Sequence, residues 1–113
     1  SIMARDRIEF HKMLQDILEK NNIDKKNCYF SKPPNTAMKY PCIVYKLQRR
    51  NLRNADNLTY FNNNSYSVTY ITTNPDDIRV GLDMLDKFSK YGISFDRSYT
   101  ADNLYHEVYL VHY

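Results

Sequence analysis

Glycine is almost missing from this chain: Gly81 and Gly92 are the two glycines in 113 residues. So little glycine leaves no GxGxxG, no Walker loop and no GxSxG elbow, motifs that need a bare backbone where the chain turns sharply or meets a phosphate. Tryptophan is absent, and cysteine is limited to Cys28 and Cys42. With no CxxC and no cysteine–histidine ligand spacing, a zinc site is not indicated. Both cysteines have aromatic or β-branched neighbours, as buried, unbridged thiols do. HExxH and EF-hand patterns do not occur, and no cofactor is expected. No apolar run approaches the ~20 residues of a membrane span, and no signal peptide is visible, which points to a cytosol-like compartment. Charge of one sign is scarce too: 16 basic against 13 acidic residues give a net +3, too mild for nucleic-acid binding by the whole domain.

Tyrosine is what the chain has in quantity, with eleven against five phenylalanines. Each brings a large apolar ring and a hydroxyl that needs a partner, which suits half-buried sheet faces and contact surfaces. At this length the chain is one domain, residues 1–113, able to bury roughly two-thirds of its unfolded surface without staples.

Periodicity gives the elements. Phe10, Met13, Leu14, Ile17 and Leu18 recur at helical spacing, predicting a helix from about Ala4 to Lys20, stopped by Asn21 and Asn22. CYF is a short strand ended by Pro33 and Pro34. PCIVYKLQ is a strand with both faces apolar near its start, and SYSVTYITT alternates strictly. NPDD opens a second helix, with Asn74 as N-cap and Pro75 at the first helical position. Ile78, Leu82, Leu85 and Phe88 trace its apolar stripe, Gly81 permits close packing on a sheet, and Tyr91-Gly92 ends it. ISF is a strand, DRSYTADN a polar connection, and LYHEVYLVHY a final strand. The order α-β-β-β-α-β-β predicts an α+β fold: a mostly antiparallel sheet with two helices packed on one face.

Two segments escape these patterns. RRNLRNADNLTYFNNN, residues 49–64, is rich in asparagine and poor in aliphatics, which favours turns or an extended arm over core. The overlapping run KLQRRNLR, residues 46–53, holds Lys46, Arg49, Arg50 and Arg53 with no acid among them. A solvated hairpin arm, a protein-facing arm and a phosphate-binding arm all fit that charge. The second segment runs from Arg97 to Asn103. Asp96 and Asp102 could hold magnesium, although two acids in one connection more simply cap a turn. Arg97 could pair with either acid or reach a neighbouring subunit. His106 and His112 lie on one side of the last strand, about 20 Å apart, too far to share a metal ion. His11 has no partner identifiable in sequence.

The runs KYPCIVYKLQ, ADN, SYSVTYITTNPDD and FDRSYTADNLYHEVYLVHY resemble the tail terminator or tail-completion proteins of long-tailed bacteriophages and prophages. These are close in architecture to the tail-to-head joining proteins. Similarity spans nearly the whole chain; YPCIVY, YSVTYI and FDRSYTADNLYH are its most specific parts. It implies an α+β fold, no enzymatic activity and a ring, six copies in the virion, at the head-proximal end of the tail. There it would end tail-tube polymerisation and meet the tail tube protein and the head connector or stopper. A head–tail adaptor, neck or minor capsid role in the same virion, or a small DNA-binding adaptor, is the alternative. The implied location is the virion, with host cytoplasm during assembly; membrane contact is not expected, and nucleic-acid contact is secondary. Residues expected to grip neighbours are Arg49, Arg50, Arg53, Asn54, Asp56, Tyr60, Arg97, Tyr99, Asp102 and Asn103. The final strand, taken as an exposed edge, would extend a sheet between subunits.

Overall fold

A computed structural model describes residues 7–31, 39–55 and 58–113, with backbone alone for 49–63. The elements are α1 (Arg7–Lys20), a 3-10 turn (Lys25–Asn27), β1 (Cys28–Phe30), β2 (Cys42–Ala55), β3 (Leu58–Thr72), α2 (Arg79–Lys87), β4 (Ile93–Ala101) and β5 (Leu104–His112). The architecture is α+β in the order inferred from periodicity. Five strands form one sheet ordered β1-β2-β3-β5-β4, with β1 parallel to β2 and the other pairs antiparallel.

Strand alternation divides the sheet into two faces. Ile43 and Tyr45 of β2, Tyr66, Val68 and Tyr70 of β3, and Tyr109, Val111 and Tyr113 at the β5 end form one face. They pack with Phe10, Leu14, Ile17 and Leu18 of α1 and with Val80, Met84 and Phe88 beside α2. Both helices share this face. α1 ends as its sequence predicts: Ile23 N–H donates to Leu18 O at 2.9 Å, and Asn22 takes a left-handed φ of 61°. Ala4–Asp6, included in the predicted helix, lie outside the described residues.

Four sequence expectations are corrected. The second helix starts at Arg79, with Ile78 as N-cap and no side-chain cap. Asn74 instead spends its side chain on a tight turn, accepting from Asp76 N at 3.0 Å, while the Tyr70 hydroxyl donates to Asp77 Oδ2 at 2.7 Å and pins that turn to the sheet. The apolar stripe of α2 is also rotated. Val80, Met84 and Phe88 are buried, whereas Ile78, Leu82 and Leu85 are 55%, 56% and 36% exposed. Gly81 sets this phase, because its Cα side lies against the Tyr109 ring and a Cβ there would collide with Tyr109 Oη.

DRSYTADN is not a connection. β4 continues from Ile93 to Ala101, with a bulge between Phe95 and Arg97, and the turn is Asp102-Asn103 alone. Both turn residues have positive φ, 54° and 61°, as a two-residue type I′ hairpin requires. Finally, β5 is not an edge; it lies between β3 and β4, so the sheet edges are β1 and β4.

Alanine at Gly81 would ordinarily strengthen a helix by about 1 kcal/mol. Here overpacking against Tyr109 should outweigh that gain, since it costs about 1–3 kcal/mol. Urea melts of Gly81→Ala should show net destabilisation, and adding Tyr109→Phe should recover most of it. A stabilised single variant would mean that α2 does not sit this close to β5.

Candidate assembly interface

Residues 49–64 are the first site segment, and their backbone is regular. β2 and β3 stay paired from Cys42↔Ile71 to Ala55↔Leu58, with irregularities between Leu47 and Arg49 and between Asn51 and Leu52. Where turns or an extended arm were expected, the chain forms a two-stranded ribbon. Its neighbours stop early: β1 pairs only with Ile43–Tyr45, and the β3–β5 ladder runs from Thr72 to Ser65. Asn64 and Tyr113 then exchange backbone bonds at 3.2 and 2.7 Å. Beyond this point neither outer edge of the two-stranded ribbon has a further strand among the described residues. At about 3.4 Å per residue, a strand as long as β3 accounts for the 51 Å longest dimension of the molecule. Arg49, Arg50, Arg53, Asn54 and Tyr60 are strand residues of this ribbon, with side chains outside the described residues; Asp56 lies outside them altogether.

The second segment sits at the other end of the sheet. Arg97 and Tyr99 lie on β4, and Asp102 and Asn103 form its turn beyond the Thr72↔Tyr105 pair. The fold therefore separates the two predicted groups. Arg97 Nη1 pairs with Asp96 Oδ2 at 2.9 Å, with both side chains largely exposed, so the bond contributes little to stability. Tyr99 stacks on His106, with centroids 4.5 Å apart and planes 11° from parallel.

Chemistry at this end is limited by strand alternation. Ser98, His106 and Glu107 line one groove of about 370 Å³, the residue types of a hydrolytic relay. Ser98 and Glu107 are cross-strand partners, but His106 precedes Glu107 and points to the opposite face, with Nδ1 3.2 Å from Leu104 O. No serine–histidine–acid relay forms. His112 Nδ1 lies 2.9 Å from Ser65 Oγ. Among the described residues no group of three or more His, Cys, Asp or Glu is placed to hold a metal ion.

Sequence reasoning missed a polar cluster under α1. His11 Nδ1 stands 2.6 Å from the Tyr45 hydroxyl, Arg7 Nη1 donates to the same oxygen at 3.1 Å, and Cys28 Sγ is 3.9 Å from His11. A cysteine beside a histidine suggests a nucleophile, but burial pushes the Cys28 thiol up to about 12. Burial, then Arg7, hold the His11 pKa below its ordinary 6.5. A protonated thiol beside a neutral imidazole is not an activated pair. Both cysteines are buried and not joined in a disulfide. The cluster gives the Tyr45 hydroxyl partners at the core's edge. Nothing in the sequence pointed to it, because Arg7, His11, Cys28 and Tyr45 belong to three separate elements.

Among the exposed apolar side chains, which include Ile8 on α1 and Phe30 on β1, the largest group is Ile78, Leu82 and Leu85 at α2 with Phe95, 52% exposed, on β4. No protein-family model and no curated protein matches the chain. Among the described residues no helix is long and apolar enough to cross a membrane.

The depressed His11 pKa gives a pH dependence with a definite sign. The unfolded chain takes up this proton first, so the contribution is complete above 6.5 and is lost as pH falls through the folded value. Urea melts between about pH 7.5 and about pH 5 should show falling stability that His11→Gln flattens. Parallel pH profiles for the two proteins would show that His11 is not held neutral.

Proposed function

We propose that this protein is a structural virion component that forms a ring, six copies, at the head-proximal end of a phage tail. It ends tail-tube polymerisation and joins the tail to the head connector. The observation that carries the reading is the β2–β3 ribbon, which leaves the sheet with no further strand on either outer edge among the described residues. A two-stranded hairpin alone is marginal in water and gains stability by lying on something else. A rigid helix-backed wedge with one projecting limb suits a heterologous interface, in which each copy grips the next and a suitable rotation closes a ring. The likeness of YPCIVY, YSVTYI and FDRSYTADNLYH to tail-completion proteins supplies the setting.

In this reading the partners are further copies of the chain, the tail tube protein and the head connector. The place of action is the virion, reached from the host cytoplasm. Arg49, Arg50 and Arg53 give the contact its register and partner choice more than its affinity.

One observation favours a second reading. A two-stranded ribbon is a shape that enters the DNA major groove, and this one carries three arginines within 49–53. A DNA-binding adaptor would show affinity that falls steeply with salt and vanishes when the three become alanine.

Electron microscopy of purified tail tubes incubated with the protein is expected to show a ring at one end. Replacing Arg50–Asn63 by an Asn-Gly turn should leave a cooperatively folding domain that caps no tubes. Bare tubes with the intact protein would overturn the reading, and an unfolded variant would assign the ribbon to the core.

A further inference from the structure

We propose that the face formed by α2 and β4 is the seat for the β2–β3 ribbon of a second copy of this chain. The inference rests on the ring reading and adds what the ribbon grips.

α2 is apolar on two sides. One side, Val80, Met84 and Phe88, is consumed by the core; the other, Ile78, Leu82 and Leu85, stands in solvent. The exposed residues are spaced i, i+4, i+7, the pattern with which a helix offers a continuous apolar strip. Their direction is fixed by what the helix touches elsewhere. Asp83 takes bonds from Asn21 at 2.9 Å and Lys20 at 3.4 Å, and Lys87 approaches Asp16 at 3.7 Å, so that flank faces α1. The exposed strip lies on the opposite flank, away from α1.

β4 leaves its own surface uncovered there. After Ile93 every residue of the strand is exposed, and its outer edge has no partner strand among the described residues. Phe95 stands on the same face as α2, its ring 5.5 Å from that of Tyr109, whose hydroxyl sits under Gly81. The aliphatic strip and Phe95 therefore lie on one face of the molecule, with Tyr109 linking α2 to β4. Edge strands are normally blunted by short length, charge or proline. This one runs nine residues, contains no proline and relies on one bulge and the adjacent Asp96–Arg97 pair.

Charge and composition select the occupant. From Asp76 to Asp102 the chain carries Asp76, Asp77, Asp83, Asp86, Asp96 and Asp102 against Arg79, Lys87, Lys90 and Arg97. Asp76, Asp86 and Asp102 make no ion pair among the described residues. The ribbon has the opposite balance, with Arg49, Arg50 and Arg53 against Asp56. It also carries Leu52, Leu58, Tyr60 and Phe61, and its register pairs Leu52 with Phe61 and Ala55 with Leu58. A ribbon with an excess of basic residues and its own apolar residues fits an exposed apolar face on a segment with an excess of acids. Among the described residues the ribbon's outer edges and the outer edge of β4 have no partner strand, so they can also pair with each other. The ribbon and the α2–β4 face are different surfaces of the molecule, so the contact is heterologous, as a ring requires.

A photo-crosslinking residue at Leu82 tests this in an equimolar mixture of normal and isotopically heavy protein, alone at high concentration and on tail tubes. Intermolecular crosslinks should map to residues 49–63. Leu82→Asp should weaken self-association about tenfold or more, as loss of an apolar anchor does. Its circular dichroism and urea midpoint should match the parent, because Leu82 is outside the core. Rings or oligomers whose Leu82 crosslinks fall elsewhere, on the tube protein or another part of the chain, would overturn the seat while leaving the ring. So would unimpaired assembly of Leu82→Asp. A protein that never self-associates, even on tubes, would overturn both.

Discussion

Phe10 is the point on which the packing turns. Its ring is fully buried, stacked on Tyr66 with centroids 4.4 Å apart, and within 5.4 Å of the rings of Tyr45, Phe88 and Tyr113. One side chain of α1 thus touches β2, β3, the segment after α2 and the end of β5. Aromatic contacts of this kind add about 0.5–1.5 kcal/mol each beyond the area they bury.

A core built on tyrosine imposes a second condition. Each buried hydroxyl needs a partner, because an unpaired one costs about 1–3 kcal/mol. Tyr45 is met by Arg7 and His11, Tyr70 by Asp77, Tyr109 by Glu107, Tyr66 by Asn64 and Tyr113 by Glu9. These bonds tie the start of α1, the turn before α2 and the root of the ribbon to the sheet. They also explain the two most suggestive polar groupings. The His11–Tyr45–Cys28 cluster satisfies a core hydroxyl, and Glu107 serves Tyr109 rather than a relay with Ser98. Polar residues near the core are therefore spent on the fold, and what remains exposed and unexplained is apolar or lies on the ribbon.

This division shapes the functional reading. The helix-covered half of the sheet is finished, with its rings stacked and its hydroxyls bonded. The molecule is unfinished in two places, at the two-stranded ribbon and along the α2–β4 flank. Among the described residues no further strand lies beside the ribbon and no element covers the α2–β4 flank, and the two segments differ in charge balance. The proposed assembly brings these two places together.

Alternation in YPCIVY and YSVTYI, the 3.6-residue spacing of Phe10, Leu14, Ile17 and Leu18, and the asparagines after Lys20 were enough to determine α1, the central strands and the α+β class. These are local signals, carried by neighbours within a few residues. The rotation of α2 was not legible, because Ile78, Leu82, Leu85 and Phe88 make as good a stripe as Val80, Met84 and Phe88; only the fit of Gly81 against Tyr109 distinguishes them. Residues 96–101 look like a loop because both faces are polar, as suits an edge strand exposed along its length. The asparagine-rich stretch hid two strands for a similar reason, since its residues carry no hydrophobic period and the strands are defined by backbone pairing. Sequence alone thus determined the α+β class and the faces that α1 and the central strands bury. Only the tertiary structure decided which side of α2 meets the core and what the chain leaves open, because burial there depends on contacts between elements far apart in the chain.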